Sequence, residues 1–220
     1  MNVLITGGLS NIGRAIAEKF YREGWNVYVT AREKKAFEYG EVIEMDLLSA
    51  DSVAEVREGF SSLDVLVNNA GIFTEGLQKE LSEESFDEVF NVNVKGLFRV
   101  TKAFLPLLES SDGAIVNVSS INALHPGFGG TAHYDASKGA VSSYTKSLAA
   151  ETGLRVNAVA PGLVRTDRLE GSSLAEFFAS HSVRKEMVDP KDIASLVYFL
   201  ATSKGIYGQT VTVDNGYLLY

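Results

Sequence analysis

With 220 residues, 45% of them hydrophobic, the chain is long enough to bury a full core, and residues 1–220 are read as a single domain. A formal charge of -8 with no basic run argues against nucleic acid as the main partner, and the absence of cysteine excludes disulfides, thiolate metal sites and a cysteine nucleophile. Three scattered histidines argue against a metal site, while the lack of any apolar run near ~18 residues and a Met1 that leads straight into a strand set the expectation of a cytoplasmic protein without membrane contact.

Asn2 to Thr6 is a short apolar run that predicts a strand. The glycine-rich stretch Thr6-Gly7-Gly8-Leu9-Ser10-Asn11-Ile12-Gly13 turns it into a helix with Ile12, Ile16 and Phe20 along one face, closed by Gly24. In that context glycines let backbone N–H groups approach a pyrophosphate, and the positive end of the helix favours its charge. Trp25 to Thr30 predicts a second strand, ending in Thr30-Ala31-Arg32. In a doubly wound fold an acid at that end would hold the adenosine ribose of NAD, whereas a base accommodates the 2′-phosphate of NADP. No acid stands at Thr30 or Ala31 and Arg32 follows, so NADP(H) is the preferred cofactor; Glu33 could neutralise Arg32, which leaves NAD(H) as the alternative.

Residues 32–41 leave room for at most two helical turns before a strand from Val42 to Met45 and the pair Asp46-Leu47. Ser49 to Phe60 reads as a capped amphipathic helix, and Asp64 to Val67 as a buried strand ending in Asn68-Asn69-Ala70-Gly71. Phe86 to about Glu109 has helical periodicity and carries Asn93 among Val89, Phe90, Val92, Val94 and Leu97; a polar amide in such a segment needs a partner. Ala114 to Val118 is the next strand, with Ser119-Ser120 at its end. A helix from Tyr134 to Glu151 follows, then a strand from Leu154 to Val159 running into Pro161-Gly162-Leu163-Val164-Arg165-Thr166. The polar segment from Arg165 to Val188, punctuated by Leu169, Leu174, Phe177 and Phe178, reads as a lid or as a surface helix. Asp189-Pro190 opens a helix by the N-cap and N1 rule, Thr210 to Val213 is the last strand, and the tail Tyr217 to Tyr220 is a candidate subunit contact. The alternation predicts an α/β, doubly wound Rossmann-type parallel sheet of about seven strands with helices on both faces.

Tyr134 and Lys138 lie four apart on their predicted helix and so project from one face. A free phenol titrates near ~10, and a neighbouring positive charge favours the phenolate, which would let Tyr134 exchange a proton near neutral pH. Together with the glycine-rich turn, Asn68-Asn69-Ala70-Gly71, Asn91-Val92-Asn93-Val94-Lys95-Gly96, Ser119-Ser120 and Pro161 to Thr166, the Tyr134-Asp135-Ala136-Ser137-Lys138 stretch closely resembles the short-chain dehydrogenase/reductase family in its compact branch. The resemblance runs from Asn2 to about Gly216.

It implies an oxidoreductase acting on a small-molecule carbonyl or alcohol, with Tyr134 as proton donor or acceptor, Ser120 orienting the carbonyl, Lys138 on the nicotinamide ribose and Asn93 completing a proton path. It also implies cofactor contacts at Gly7, Ser10, Asn11, Ile12, Gly13, Arg32, Asp46, Leu47, Asn69, Ala70, Gly71, Pro161, Gly162, Val164 and Thr166, besides Tyr134 and Lys138. Asp46 reads equally well as a turn residue. Two positions depart from the family, Asn11 and Asn215 standing where glycine is usual, and the interval from Ser120 to Tyr134 is one residue longer than is common. His125, Phe128 and His133 are candidates to line a substrate pocket. A homodimer or homotetramer is expected, with the Phe86 and Tyr134 helices in contact. The alternatives within this frame are a 3-oxoacyl carrier-protein reductase and a non-catalytic NADP(H)-binding sensor or scaffold.

Overall fold

The computed structural model describes residues 1–219, so the last residue of the predicted tail contact, Tyr220, lies outside the described residues. Seven strands, β1 (Asn2–Thr6), β2 (Asn26–Ala31), β3 (Glu41–Glu44), β4 (Val65–Asn68), β5 (Ala114–Val118), β6 (Arg155–Pro161) and β7 (Thr210–Val213), form one parallel sheet in the order β3-β2-β1-β4-β5-β6-β7. The order in which successive strands are added reverses between β1 and β4, and the crevice beyond their carboxyl ends is where such sheets bind ligands.

The apolar runs owe their two-sided burial to the pleat. Val3 and Ile5 face one core with Val65, Val67 and Val116, while Leu4, Leu66 and Ile115 face the other. The first core is closed by α1 (Asn11–Arg22) and α7 (Pro190–Thr202) through Ile16, Phe20, Ile193, Val197 and Leu200. The second is closed by α2 (Ala50–Glu58), α4 (Leu97–Ser110) and α5 (Ala132–Thr152) through Val53, Val100, Phe104, Leu108 and Leu148. Two shorter helices, α3 (Glu83–Phe90) and α6 (Ser173–Ser180), lie before α4 and after β6.

Capping accounts for several starts. Ser10, Ser49, Ser82 and Ser172 each accept a backbone N–H three residues on, and Asp189 accepts that of Lys191 ahead of α7, with Pro190 at its first position. The predicted helix from Phe86 begins earlier, at Glu83, and is not uniform: Asn91–Gly96 is wound as a π-helical segment between α3 and α4. Residues 32–40 hold no helix at all. Phe37 and Tyr39 instead pack against the first core, their rings meeting edge-on at 5.8 Å, and the Arg14 guanidinium lies 5.5 and 5.3 Å from the two ring centres while pairing with Glu38. Aromatic packing there takes the place of a helix on that side of the sheet.

Candidate active site

The glycine-rich turn is built from backbone geometry. Gly7 adopts φ +63, a left-handed conformation that side chains disfavour, and a Cβ at Gly13 would run into the Gly7 carbonyl. Thr6 Oγ1 then receives the N–H groups of Asn69 and Ala70, each at 3.0 Å, and Asn69 Nδ2 donates to the carbonyls of Thr6 and Gly7 at 2.8 and 3.0 Å. These bonds lock the end of β4 against the turn after β1, which leaves the amino end of α1 open toward the crevice.

Asn11 needs no left-handed backbone, since it is the first helical residue of α1, and its side chain donates to the Arg165 carbonyl at 2.8 Å. The asparagine thus ties the glycine-rich turn to the loop after β6. Asn215 does adopt positive φ, at 54, and its amide donates to the carbonyls of Glu186 and Met187 at 2.9 and 3.2 Å. Both departures from glycine are therefore accommodated by hydrogen bonds a glycine lacks.

Two adjoining cavities meet at Tyr134. The first, of about 300 Å³, is lined by Ser10, Asn11, Ile12, Asn69, Gly71, Ser120, Tyr134, Lys138, Pro161, Gly162, Val164 and Thr166 among others. The second, of about 580 Å³, shares Phe73, Ser120, Tyr134, Gly162 and Thr166 with it and extends under α6. A larger cavity of about 670 Å³ lies away from Tyr134, beside β2 and β3; Glu41, Glu44 and Glu55 on its walls oppose an anionic cofactor.

The structure gathers most of the expected residues at the first cavity and leaves others behind or beside it. Gly7, Gly13 and Ala70 shape the turn from within. Arg32 stands exposed just past the end of β2, and Glu33 pairs with Lys35 at 3.4 Å. Asp46 follows β3 at the same edge of the sheet and is a turn residue: its carboxylate accepts the Leu48 N–H at 2.9 Å, and the Leu47 carbonyl is held by Arg99.

Ser119 and Ser120 separate by their partners. The Ser119 hydroxyl is buried and donates to the Lys138 carbonyl at 3.0 Å, whereas Ser120 lines both cavities beside the Tyr134 phenol. Asn93 lies within the π-helical segment, a feature frequent at functional sites, where the wider turn aims its amide at the chain after Gly71. Its Oδ1 accepts the Ile72 N–H at 2.8 Å, and its Nδ2 donates to the Ile72 carbonyl and the Ser137 hydroxyl at 3.0 and 3.1 Å. A Cβ added to Gly71 would lie 3.1 Å from Asn93 Oδ1 and 3.3 Å from Lys138 Nζ, a tight approach to which those side chains would have to yield.

Burial pushes the Tyr134 phenol up to about 12, with the Ser120 hydroxyl pulling the other way and the Asp135 charge adding to the rise. The Lys138 ammonium lies 5.7 Å from the centre of the phenol ring, donates to the Val118 carbonyl at 2.9 Å, and is itself pulled down by burial to about 8. Burial therefore favours the protonated form of the phenol.

The neighbours of Tyr134 fix the walls of the second cavity. His133 does not line it; it is buried, with Nε2 2.8 Å from Thr74 Oγ1, which tethers the loop carrying Phe73. Phe73 meets the Tyr134 ring edge-on at 4.9 Å. On the other side the Asp135 carboxylate accepts from Asn122 Nδ2 at 2.7 Å, the Gly127 N–H at 2.9 Å and the Thr131 hydroxyl at 3.0 Å, which pins the long loop after Ser120. His125 and Phe128, carried by that loop, do line the cavity. Sequence reasoning missed the roles of Thr74 and Asp135 because the contacts to His133 of α5, Asn122 and Gly127 that define them form only in the folded chain; for Phe73 its place just after Asn69-Ala70-Gly71 was a usable signal.

Among the described residues no helix is long and apolar enough to cross a membrane. A family model described as enoyl-(acyl carrier protein) reductase matches residues 7–218. The 3-oxoacyl-[acyl-carrier-protein] reductase FabG of Staphylococcus aureus is 37% identical, over 98% of this chain and 97% of that protein. Among solved structures, a ligand-free aldohexose dehydrogenase of Thermoplasma acidophilum aligns with a TM-score of 0.92 at 29% identity, covering 100% of this chain and 94% of that one. ElxO with NADP bound aligns at 0.89 with 32% identity, over 100% and 99% of the two chains. A parallel sheet that reverses at β1 and β4, matched along almost its whole length by these oxidoreductases, places the chain in the short-chain dehydrogenase/reductase family.

Proposed function

We propose that residues 1–220 form one NADP(H)-dependent oxidoreductase domain that interconverts a carbonyl and an alcohol. The observation that carries this reading is the position of Tyr134 and Ser120, which stand in the shared wall of two adjoining cavities. One cavity has the glycine-rich turn and the open amino end of α1 on its rim, which suits a dinucleotide; the other suits the second reactant.

NADP(H), when bound, supplies the hydride. The chain's own groups handle the proton and the charge. Ser120 donates a hydrogen bond to the carbonyl oxygen and strengthens it as negative charge develops there. Tyr134, neutral at pH 7, gives its proton to that oxygen to complete the alcohol. The Lys138 ammonium lies close enough to favour the phenolate left behind, and Asn93 beside it orders the path by which a proton returns. Arg32 is exposed and free of an ion pair among the described residues, which suits a ribose 2′-phosphate, and NADP is the bound cofactor in ElxO. NAD(H) is the alternative where Arg32 contributes nothing.

A 3-oxoacyl carrier-protein reductase is the second reading, favoured by the 37% identical relative. Carrier docking would draw on Arg165 and Arg168, but Arg165 already faces Glu186 and Asp189 at 3.6 and 3.7 Å, which leaves Arg168. Assembly is proposed through the face of α4 and α5, where Phe98 is exposed beside Val94, Ala140 and Tyr144. The test of the main reading is NADPH oxidation across carbonyl compounds, with Tyr134→Phe beside the wild type. The variant is expected to lose about 10²–10⁴-fold in kcat while keeping NADPH affinity. Equal turnover in the variant would refute the assignment.

A further inference from the structure

The second cavity has a wall the catalytic reading does not use. Tyr217, from the turn after β7, lies flat against Phe178 of α6, ring centres 4.8 Å apart and planes within 5°. Phe178 is 1% exposed and belongs to the first core, so the stack is anchored. The turn is anchored too: Asp214 accepts the N–H groups of Gly216 and Leu218 on its carboxylate, at 3.1 and 2.9 Å, and that of Tyr217 on its carbonyl at 3.0 Å. The sequence expectation placed Tyr217 at a subunit contact; here its ring faces the cavity.

The remaining surface is mostly hydrocarbon. Phe73, Ile121, Phe128, Leu163, Leu169 and Leu174 complete it, and the large rings at the mouth, Phe73 and Phe128, are 51% and 39% exposed. Some of the polar side chains there are committed elsewhere. Asn122 Nδ2 is given to Asp135, and His125 Nδ1 is 2.8 Å from the Pro126 carbonyl. Glu75 and Arg168 are exposed. A ring or branched chain held against these walls would cover the exposed aromatics and meet their faces and edges.

We propose that the substrate is a carbonyl compound with a bulky apolar body, aromatic or branched, and that Tyr217 sets this preference as the far wall of the pocket. The inference rests on the NADP(H) and Tyr134 reading above. The aldohexose and acyl-thioester chemistries named for the similar proteins are the competitors.

The test uses the full chain with NADPH against 1-tetralone, acetone and an acetoacetyl thioester, and with NADP against glucose. The expected result is a kcat/KM for tetralone at least a hundredfold above the other three. Tyr217→Ala is expected to raise the tetralone KM about tenfold with a smaller change for acetone, and Tyr217→Phe to retain the wild-type value. Preference for glucose or the thioester overturns the proposal, as does an equal loss for tetralone and acetone in Tyr217→Ala. If that variant fails to fold, Phe128→Ala is expected to show the same tetralone-selective rise in KM, and its absence counts against the proposal. Calorimetric binding of tetralone to the protein separates the two readings: binding without turnover of any carbonyl supports the pocket assignment and refutes the catalytic one. Absence of both binding and turnover of tetralone overturns the pocket assignment.

Discussion

Lys138→Met should stabilise the cofactor-free protein at neutral pH while removing its activity. Lys138 is 5% exposed, its ammonium donates to a single carbonyl, and burial pulls it from 10.5 to about 8. A displacement of that size corresponds to about 3 kcal/mol of penalty on the charged form. Below pH 8 both folded and unfolded chains carry the proton, so the folded state bears the whole penalty. Between pH 8 and 10.5 the unfolded chain binds more protons than the folded one, and stability rises with pH until the penalty is gone. Tyr134, raised to about 12, adds nothing below pH 10, where its phenol is neutral in both states; above pH 10 it lowers stability.

Methionine keeps the apolar stem without the charge. Loss of the donor to the Val118 carbonyl returns about 1–2 kcal/mol of the gain. The variant should therefore be more stable than the wild type by about 1–2 kcal/mol at pH 7, and the difference should vanish or reverse by pH 9.5. Urea unfolding of both proteins at the two pH values measures this directly. A variant destabilised to the same extent at pH 7 and pH 9.5 would show that the buried ammonium carries no such penalty.

Two further substitutions probe residues outside the catalytic group. Arg32→Ala should reduce the preference for NADPH over NADH by about ten- to a hundredfold, the worth of one charge-assisted hydrogen bond, and an unchanged ratio of kcat/KM values would remove Arg32 from the cofactor site. Asp135→Asn weakens the carboxylate that holds Asn122, Gly127 and Thr131. It should cost about ten- to a hundredfold in kcat/KM, carried mainly by KM, and hasten proteolytic cleavage within residues 121–131; a fall in kcat alone would point to a direct role beside Tyr134 instead.

The strands and their order of appearance were legible because a strand buried on both faces must be apolar throughout, as in Val3 to Ile5 and Val65 to Val67. The family motifs were legible for a related reason: close backbone approach at Gly7 and Gly13 admits few residue types, and a Tyr and Lys one helical turn apart share a face whatever surrounds them. The short interval from Arg32 to Glu41 was legible as leaving no room for a full helix, but the packing of Phe37 and Tyr39 on Arg14 and the core was not, since no local periodicity records such contacts.

The local pattern also carried the placement of Tyr134 and Lys138 but not their protonation. Neighbouring charge is read from spacing, whereas desolvation depends on every segment that folds over the pair, and here desolvation is the larger effect on both groups. The walls of the second cavity come from loops after β4, β5 and β6 and from the turn after β7, brought together only when the sheet closes. Tyr217 could be read as tail or interface from its own neighbours. Its position against Phe178 depends on the Asp214 turn and on α6, residues distant in the chain whose joint geometry exists only in the folded state.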